Sequence, residues 1–257
     1  MSLIAVASAK FSPGVTTLAQ LLVLRRLSGR RCLLVDCDPA GSEWPLRPGV
    51  VPEPGLVTLA MAGRRELAAG AVLEHTQTVG EGRLELLVAP AAARRATSAL
   101  DILNERLGPH LASLPDVDVV VDCGRLDQRS PVLSLLAVAD LVLLVGRRAV
   151  TDMVHLAPWV EQLGGDRLAL VLVGGGRGGL VGYEPQEIAD GLDVPVLGVL
   201  AADASAAARL FAQPGSLVGL WRTRLVRSAS ELAASAFTVA AEHNAQPRIA
   251  SQEAVKS

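Results

Sequence analysis

Aromatic residues, cysteines and long apolar runs are scarce in this 257-residue chain, and each shortage closes off a class of function. Three Trp, three Phe and one Tyr leave little material for base-stacking platforms; Trp44, Trp159 and Trp221 read as packing residues without chemistry. Cys32, Cys37 and Cys123 make neither a C-x-x-C pair nor a zinc spacing, and an odd count argues against a disulfide framework. They read as small buried residues. His75, His110, His155 and His243 are scattered, so a zinc-type cluster is not expected. The first apolar segment is too short to span a bilayer and no positive leader precedes a long apolar stretch, so a cytoplasmic protein is expected. A net charge of −2 gives no electrostatic case for nucleic acid in bulk.

Half the residues are hydrophobic, which supports a large core. Ala, Leu, Val, Gly and Arg dominate and Arg far exceeds Lys, a bias typical of GC-rich genomes such as those of actinobacteria. Apolar runs alternate with helical patterns, the sequence form of a parallel sheet with crossover helices. Strands are predicted near Leu3–Ala7, Cys32–Asp36, Leu84–Ala89, Val117–Asp122, Leu141–Gly146, Leu168–Gly174 and Val194–Leu200. Helices are predicted near Thr16–Leu27, Thr58–Ala69, Thr97–Leu114, Pro131–Ala137, Thr151–Leu163, Pro185–Leu192, Ala204–Phe211 and Trp221–Ala241. No internal repeat is visible. The expected architecture is a single-domain α/β fold over residues 1–243. Its mostly parallel sheet of seven or eight strands carries helices on both faces, and residues 244–257 form a flexible polar tail.

Between the first strand and first helix lies Ser8-Ala9-Lys10-Phe11-Ser12-Pro13-Gly14-Val15-Thr16-Thr17. A P-loop, G-x-x-x-x-G-K-[ST], cradles phosphates with backbone N–H groups at a helix N-terminus, and its Lys reaches the β and γ phosphates. Here Val15 occupies the lysine position. Gly14, Thr16, Thr17 and an extra upstream Lys10 remain. Two further apolar strands close on acids: Val35-Asp36-Cys37-Asp38-Pro39-Ala40-Gly41, and Val121-Asp122-Cys123-Gly124.

This ordered trio resembles the deviant Walker A, switch I and Walker B motifs of the ParA/MinD family of dimerising ATPases, including its actinobacterial MinD-like members. The resemblance covers about Ser2 to Ala241 as a pattern and is specific only in these three motifs. It implies binding of ATP and Mg²⁺ by the segment Lys10, Phe11, Ser12, Pro13, Gly14, Val15, Thr16 and Thr17. Lys10 falls on the family's signature lysine, which reaches a phosphate across a homodimer. Asp38 falls on the acid that orients the attacking water. Thr16, Asp36 and Asp122 fall on the metal side, with Asp122 acting through water.

Loss of the Walker lysine removes a cation where charge develops in phosphoryl transfer, so binding should survive better than hydrolysis. TadZ/CpaE-like pilus proteins share that loss, and the reading favoured is a ParA/MinD-like positioning or scaffold protein with weak or absent ATPase, serving pilus or secretion assembly. A dimerisation-gated partitioning ATPase and a nucleotide-free interaction module are the alternatives. The family's adenine-reading Asn is replaced by the loop Gly174–Gly179. Arg147 and Arg148 are, after Lys10, the candidates to compensate for the missing lysine. Arg209, Arg222, Arg224 and Arg227 could form a DNA patch, with solvated helix faces the preferred reading. The tail lacks an amphipathic apolar face, so direct membrane anchoring is not expected.

Overall fold

The computed structural model describes residues 1–11, 14–26, 29–80, 83–174 and 182–245. Its elements run β1 (Leu3–Ser8), α1 (Val15–Leu24), β2 (Arg31–Asp36), a 3₁₀ turn (Trp44–Leu46), α2 (Leu56–Ala62), α3 (Ala71–Glu74), β3 (Gln77–Val79), β4 (Leu84–Leu87) and α4 (Ala93–Ala112). They continue through β5 (Val117–Arg125), α5 (Leu133–Val138), β6 (Leu141–Arg147), α6 (Val150–Leu163), β7 (Leu168–Gly174), α7 (Pro185–Leu192), β8 (Val196–Ala201), α8 (Ala204–Ala212) and α9 (Arg224–Ala245). Eight strands form one sheet in the order β3-β4-β2-β5-β1-β6-β7-β8, parallel throughout except for the antiparallel β3–β4 edge.

Both faces of the sheet are buried, and for that reason the strands read as continuous apolar runs. The two-residue period sorts each strand between two layers. Leu33, Val35, Val119, Val121 and Cys123 pack with Leu56, Leu103 and Leu107 of α2 and α4. Ile4, Val6, Leu34 and Val120 pack on the other side with Leu18, Leu22, Leu232 and Phe237 of α1 and α9. Cys37 and Cys123 are fully buried, as small core residues.

Several predicted boundaries move for local reasons. The helix expected over Thr58–Ala69 ends at Gly63, whose N–H closes on Leu59 O at 2.8 Å. The last strand begins at Val196 because Pro195 has no N–H for the ladder; its carbonyl still accepts from Leu170 N. The helix expected from Trp221 starts at Arg224, and Trp221 sits before it, half exposed beneath Arg25. The same helix continues to Ala245, taking in the first two residues of the expected tail, and His243 and Asn244 hydrogen-bond Asp140 there. Among the described residues no helix is long and apolar enough to cross a membrane.

Candidate functional site

Chain parity builds the centre of the site. Asp36, the last residue of β2, and Asp122 of the adjacent parallel β5 are register partners, so their side chains emerge on the same face, the one covered by α1. Both are about 1% exposed. Asp36 accepts from Ser42 Oγ, from Ala89 N at 3.3 Å and from Asp38 N at 3.3 Å. Asp122 accepts from Gly124 N at 3.0 Å and from the Thr16 hydroxyl. Burial pushes the Asp122 carboxyl well above the usual carboxylate range, and the neighbouring Asp36 pushes it further. Burial likewise raises Asp36, with the Ser42 hydrogen bond opposing. Two buried carboxylates whose fields act on each other cannot both ionise cheaply without a cation nearby.

Gly14 carries the loop into the first turn of α1. At φ 106° it adopts a left-handed conformation that costs glycine little. No side chain caps the helix and no acid lies in its first turn, so its amino end keeps its positive partial charge. Val15 is 2% exposed and belongs to the core on the α1 face: its side chain is absorbed by packing, not offered to the loop. Thr16 and Thr17 line a cleft of about 470 Å³ that also takes in Gln20, Asp36, Asp38, Trp44, Arg47 and the α8 residues Leu210 and Phe211.

Asp38 is folded over Gly124. A Cβ built at Gly124 would lie 2.2 Å from Asp38 Cγ, and Gly124 has φ +59°. Burial raises the Asp38 carboxyl, while the Ala40 N–H, bound at 2.8 Å, and Arg125 oppose. Gly124→Ala should therefore evict Asp38 from the strand ends and cost about 1–3 kcal/mol from the strained φ and the clash together. A fall in the denaturation midpoint with altered amide signals from Asp38 to Gly41 would verify this; an unchanged midpoint would refute it.

Lys10 lies elsewhere. Its Nζ is 3.0 Å from His155 Nε2 of α6 and 5.2 Å from the Phe11 ring, which Arg147 also approaches at 5.8 Å. Phe11 is 54% exposed at φ 63°. None of these four side chains lines the cleft. Ser12 and Pro13 lie outside the described residues, as does most of the Gly174–Gly179 loop expected near the base. Arg148 does not answer the expectation of a compensating cation: its guanidinium is held by Glu184 at 2.9 Å and by the Tyr183 carbonyl at 2.7 Å. The cation that does line the cleft is Arg47, which the sequence reading missed along with Trp44 and Gln20. One signal was available: Trp44 and Arg47 are three apart, and a 3₁₀ turn stacks i over i+3.

The residues present fit a magnesium-bound phosphate chain. The Thr16 hydroxyl and the carboxylates of Asp36 and Asp122 are hard oxygen donors; Thr16, in the first turn of an uncapped helix, bonds Asp122 and with Asp36 lines a cleft of ligand size. Among the described residues no group of three or more His, Cys, Asp or Glu side chains is arranged to hold a metal ion.

No family model matches the sequence, and no curated protein matches it. Solved structures do match the fold. A ParA family ATPase from Chlorobium tepidum is 18% identical, with TM-score 0.72 over 91% of this chain and 97% of its own. The cell division ATPase MinD of Pyrococcus furiosus is 19% identical, with TM-score 0.68 over 93% and 99%. Cobyrinic acid a,c-diamide synthase of Mycobacterium smegmatis, solved with an ATP analogue and magnesium, is 20% identical, with TM-score 0.63 over 91% and 93%. The chain therefore has the P-loop NTPase fold of the ParA and MinD ATPases: one α/β domain with an eight-stranded, mostly parallel sheet between two helical layers.

Proposed function

We propose that the cleft binds a nucleoside phosphate with Mg²⁺ and hydrolyses it slowly or not at all, and that the protein acts as a ParA/MinD-like positioning scaffold. The observation that carries this reading is Val15, buried in the core at the position where a phosphate loop has its lysine, between a left-handed Gly14 and the first turn of α1. The bound cation would neutralise the phosphates and the acid pair together. Thr16 and Asp122 would hold it, the acid through water, with Asp36 behind them. Asp38 would accept a proton from and orient a water at the strand ends. Lys10 is beside His155 of α6 and does not line its own cleft, so in this reading it would serve a second copy of the chain, with a homodimer as the working form. Its protein partner would belong to pilus or secretion assembly, a reading supported only by the missing lysine, with a partitioning apparatus as the alternative.

Titration calorimetry with Mg-ATP and Mg-ADP tests the reading. The expected result is binding that Asp122→Ala abolishes and Lys10→Ala weakens. Turnover should be at or below about 10⁻⁴ s⁻¹, the scale of an unassisted P-loop GTPase. Turnover orders of magnitude faster would favour the partitioning ATPase. No heat at millimolar nucleotide would leave the nucleotide-free interaction module.

A further inference from the structure

Six buried side-chain polar atoms have no hydrogen-bond partner among the described residues, and three of them, Gln20 Nε2, Trp44 Nε1 and Arg47 Nε, belong to residues that line the same cleft. All three are N–H donors. A buried donor left unpaired costs on the order of 1–3 kcal/mol, so three in one place call for a common explanation.

Arg47 organises the group. It is 6% exposed, and its guanidinium lies 3.8 Å from the Trp44 ring centre and 4.9 Å from that of Phe211. Arg47 Nη1 donates to Gln20 Oε1 at 2.8 Å. Because a guanidinium only donates, that bond fixes the amide with its oxygen toward Arg47 and leaves the Gln20 NH₂ without an acceptor. Among the described residues no carboxylate stands within ion-pairing distance of Arg47, although Glu43, Asp36 and Asp122 are close enough for their fields to act on it. A buried cation between two rings, satisfied by one neutral amide, is expensive unless something anionic completes it.

The side of α1 that carries Gln20 places this group beside the phosphate loop. Gln20 is four residues after Thr16 and three after Thr17, so all three share one helix face, with Gln20 one turn deeper. We infer that Arg47, Gln20 and Trp44 form an anion subsite one helical turn along α1 from the loop, which grips phosphate oxygens of the bound ligand. The subsite supplies from the segment after β2 a fixed positive charge that Val15 cannot supply from the loop. This deepens the proposed function and rests on it for the nucleotide, but the chemistry recognised is the phosphate group itself. Inorganic pyrophosphate is therefore the second probe.

Calorimetry on the full chain with Mg-ATP, magnesium pyrophosphate and adenosine tests the subsite, using wild type, Arg47→Gln, Gln20→Leu and Trp44→Phe. Trp44→Phe keeps an aromatic face under Arg47 and removes only the N–H, so it reads the donor apart from the packing. The expected losses for both phosphate ligands are roughly tenfold or more for Arg47→Gln and about three- to tenfold for Trp44→Phe and Gln20→Leu. Should Arg47→Gln fail to fold, those two variants carry the test. Mg-ATP binding unchanged across the variants would overturn the subsite and leave the proposed function standing. Pyrophosphate bound with this sensitivity, and ATP not bound, would sustain the subsite and overturn the nucleotide reading. Adenosine bound as tightly as ATP, or no phosphate ligand bound at all, would overturn the subsite.

Discussion

Asp122→Asn is expected to raise the stability of the ligand-free protein at pH 8 while abolishing its response to magnesium nucleotide. The native carboxyl is held above its unfolded value by burial and by Asp36 beside it. A carboxyl raised on folding contributes stability that is fully present below its unfolded pKa, near pH 4, and is lost as pH climbs through the folded value. At pH 8 the protein therefore bears the cost of a desolvated charge pair. Asparagine has the same shape, its Oδ1 can still accept from Gly124 N, and its amide can donate to Asp36. The gain should be on the order of 2–4 kcal/mol at pH 8, or roughly 5–10 °C in melting temperature for a chain of this size. It should shrink toward pH 5, where wild-type Asp122 carries its proton. Melting curves at the two pH values, with and without Mg-ATP, check each part: wild type should gain from ligand and the variant should not. Equal midpoints at pH 8 would show that the acid pair bears no such cost.

Asp118→Ala should do the opposite, lowering stability by about 3–5 kcal/mol. Asp118 is 1% exposed at the start of β5, where it accepts from Ser2 N at 2.8 Å and from Arg26 Nε at 2.6 Å. Arg26 in turn lies 4.2 Å from the Phe237 ring of α9. One carboxylate thus ties together the start of β1, the end of α1 and the helix that covers both. Its removal leaves a buried N–H and a half-sequestered guanidinium without an acceptor. Urea unfolding should show a lower midpoint with an unchanged slope, and Asp118→Asn should recover part of the loss. A midpoint within about 0.5 kcal/mol of wild type would mean that water replaces the carboxylate freely.

The layered sheet was legible because its signal is local: buried parallel strands are apolar runs, and seven of the eight could be found that way. β3 escaped because it is three residues long and follows a one-turn helix. The acids at the strand ends were legible for the same reason, and their common face follows from register parity once β2 and β5 are paired. What could not be read were choices made between distant segments. Lys10 meets a histidine 145 positions away, and Arg148 spends its charge on Glu184. Arg47 reaches the cleft only because the segment after β2 folds back over α1, beside Gln20 and Phe211. Trp44 was taken for packing, and its ring does pack, but its buried N–H has no partner among the described residues and the residue lines the cleft.

The two buried acids of β5 lie on one strand and one face, about 13 Å apart at the usual rise per residue. At the lower end the chain furnishes its own counter-charge and the acid behaves as a rivet. At the upper end, among the described residues, no basic side chain is ion-paired with the acid, which accepts instead from a hydroxyl and a backbone N–H. β5 lies in the interior of the sheet, flanked by β1 and β2. A change of charge at the upper end therefore acts on the middle of the sheet and not on a peripheral loop.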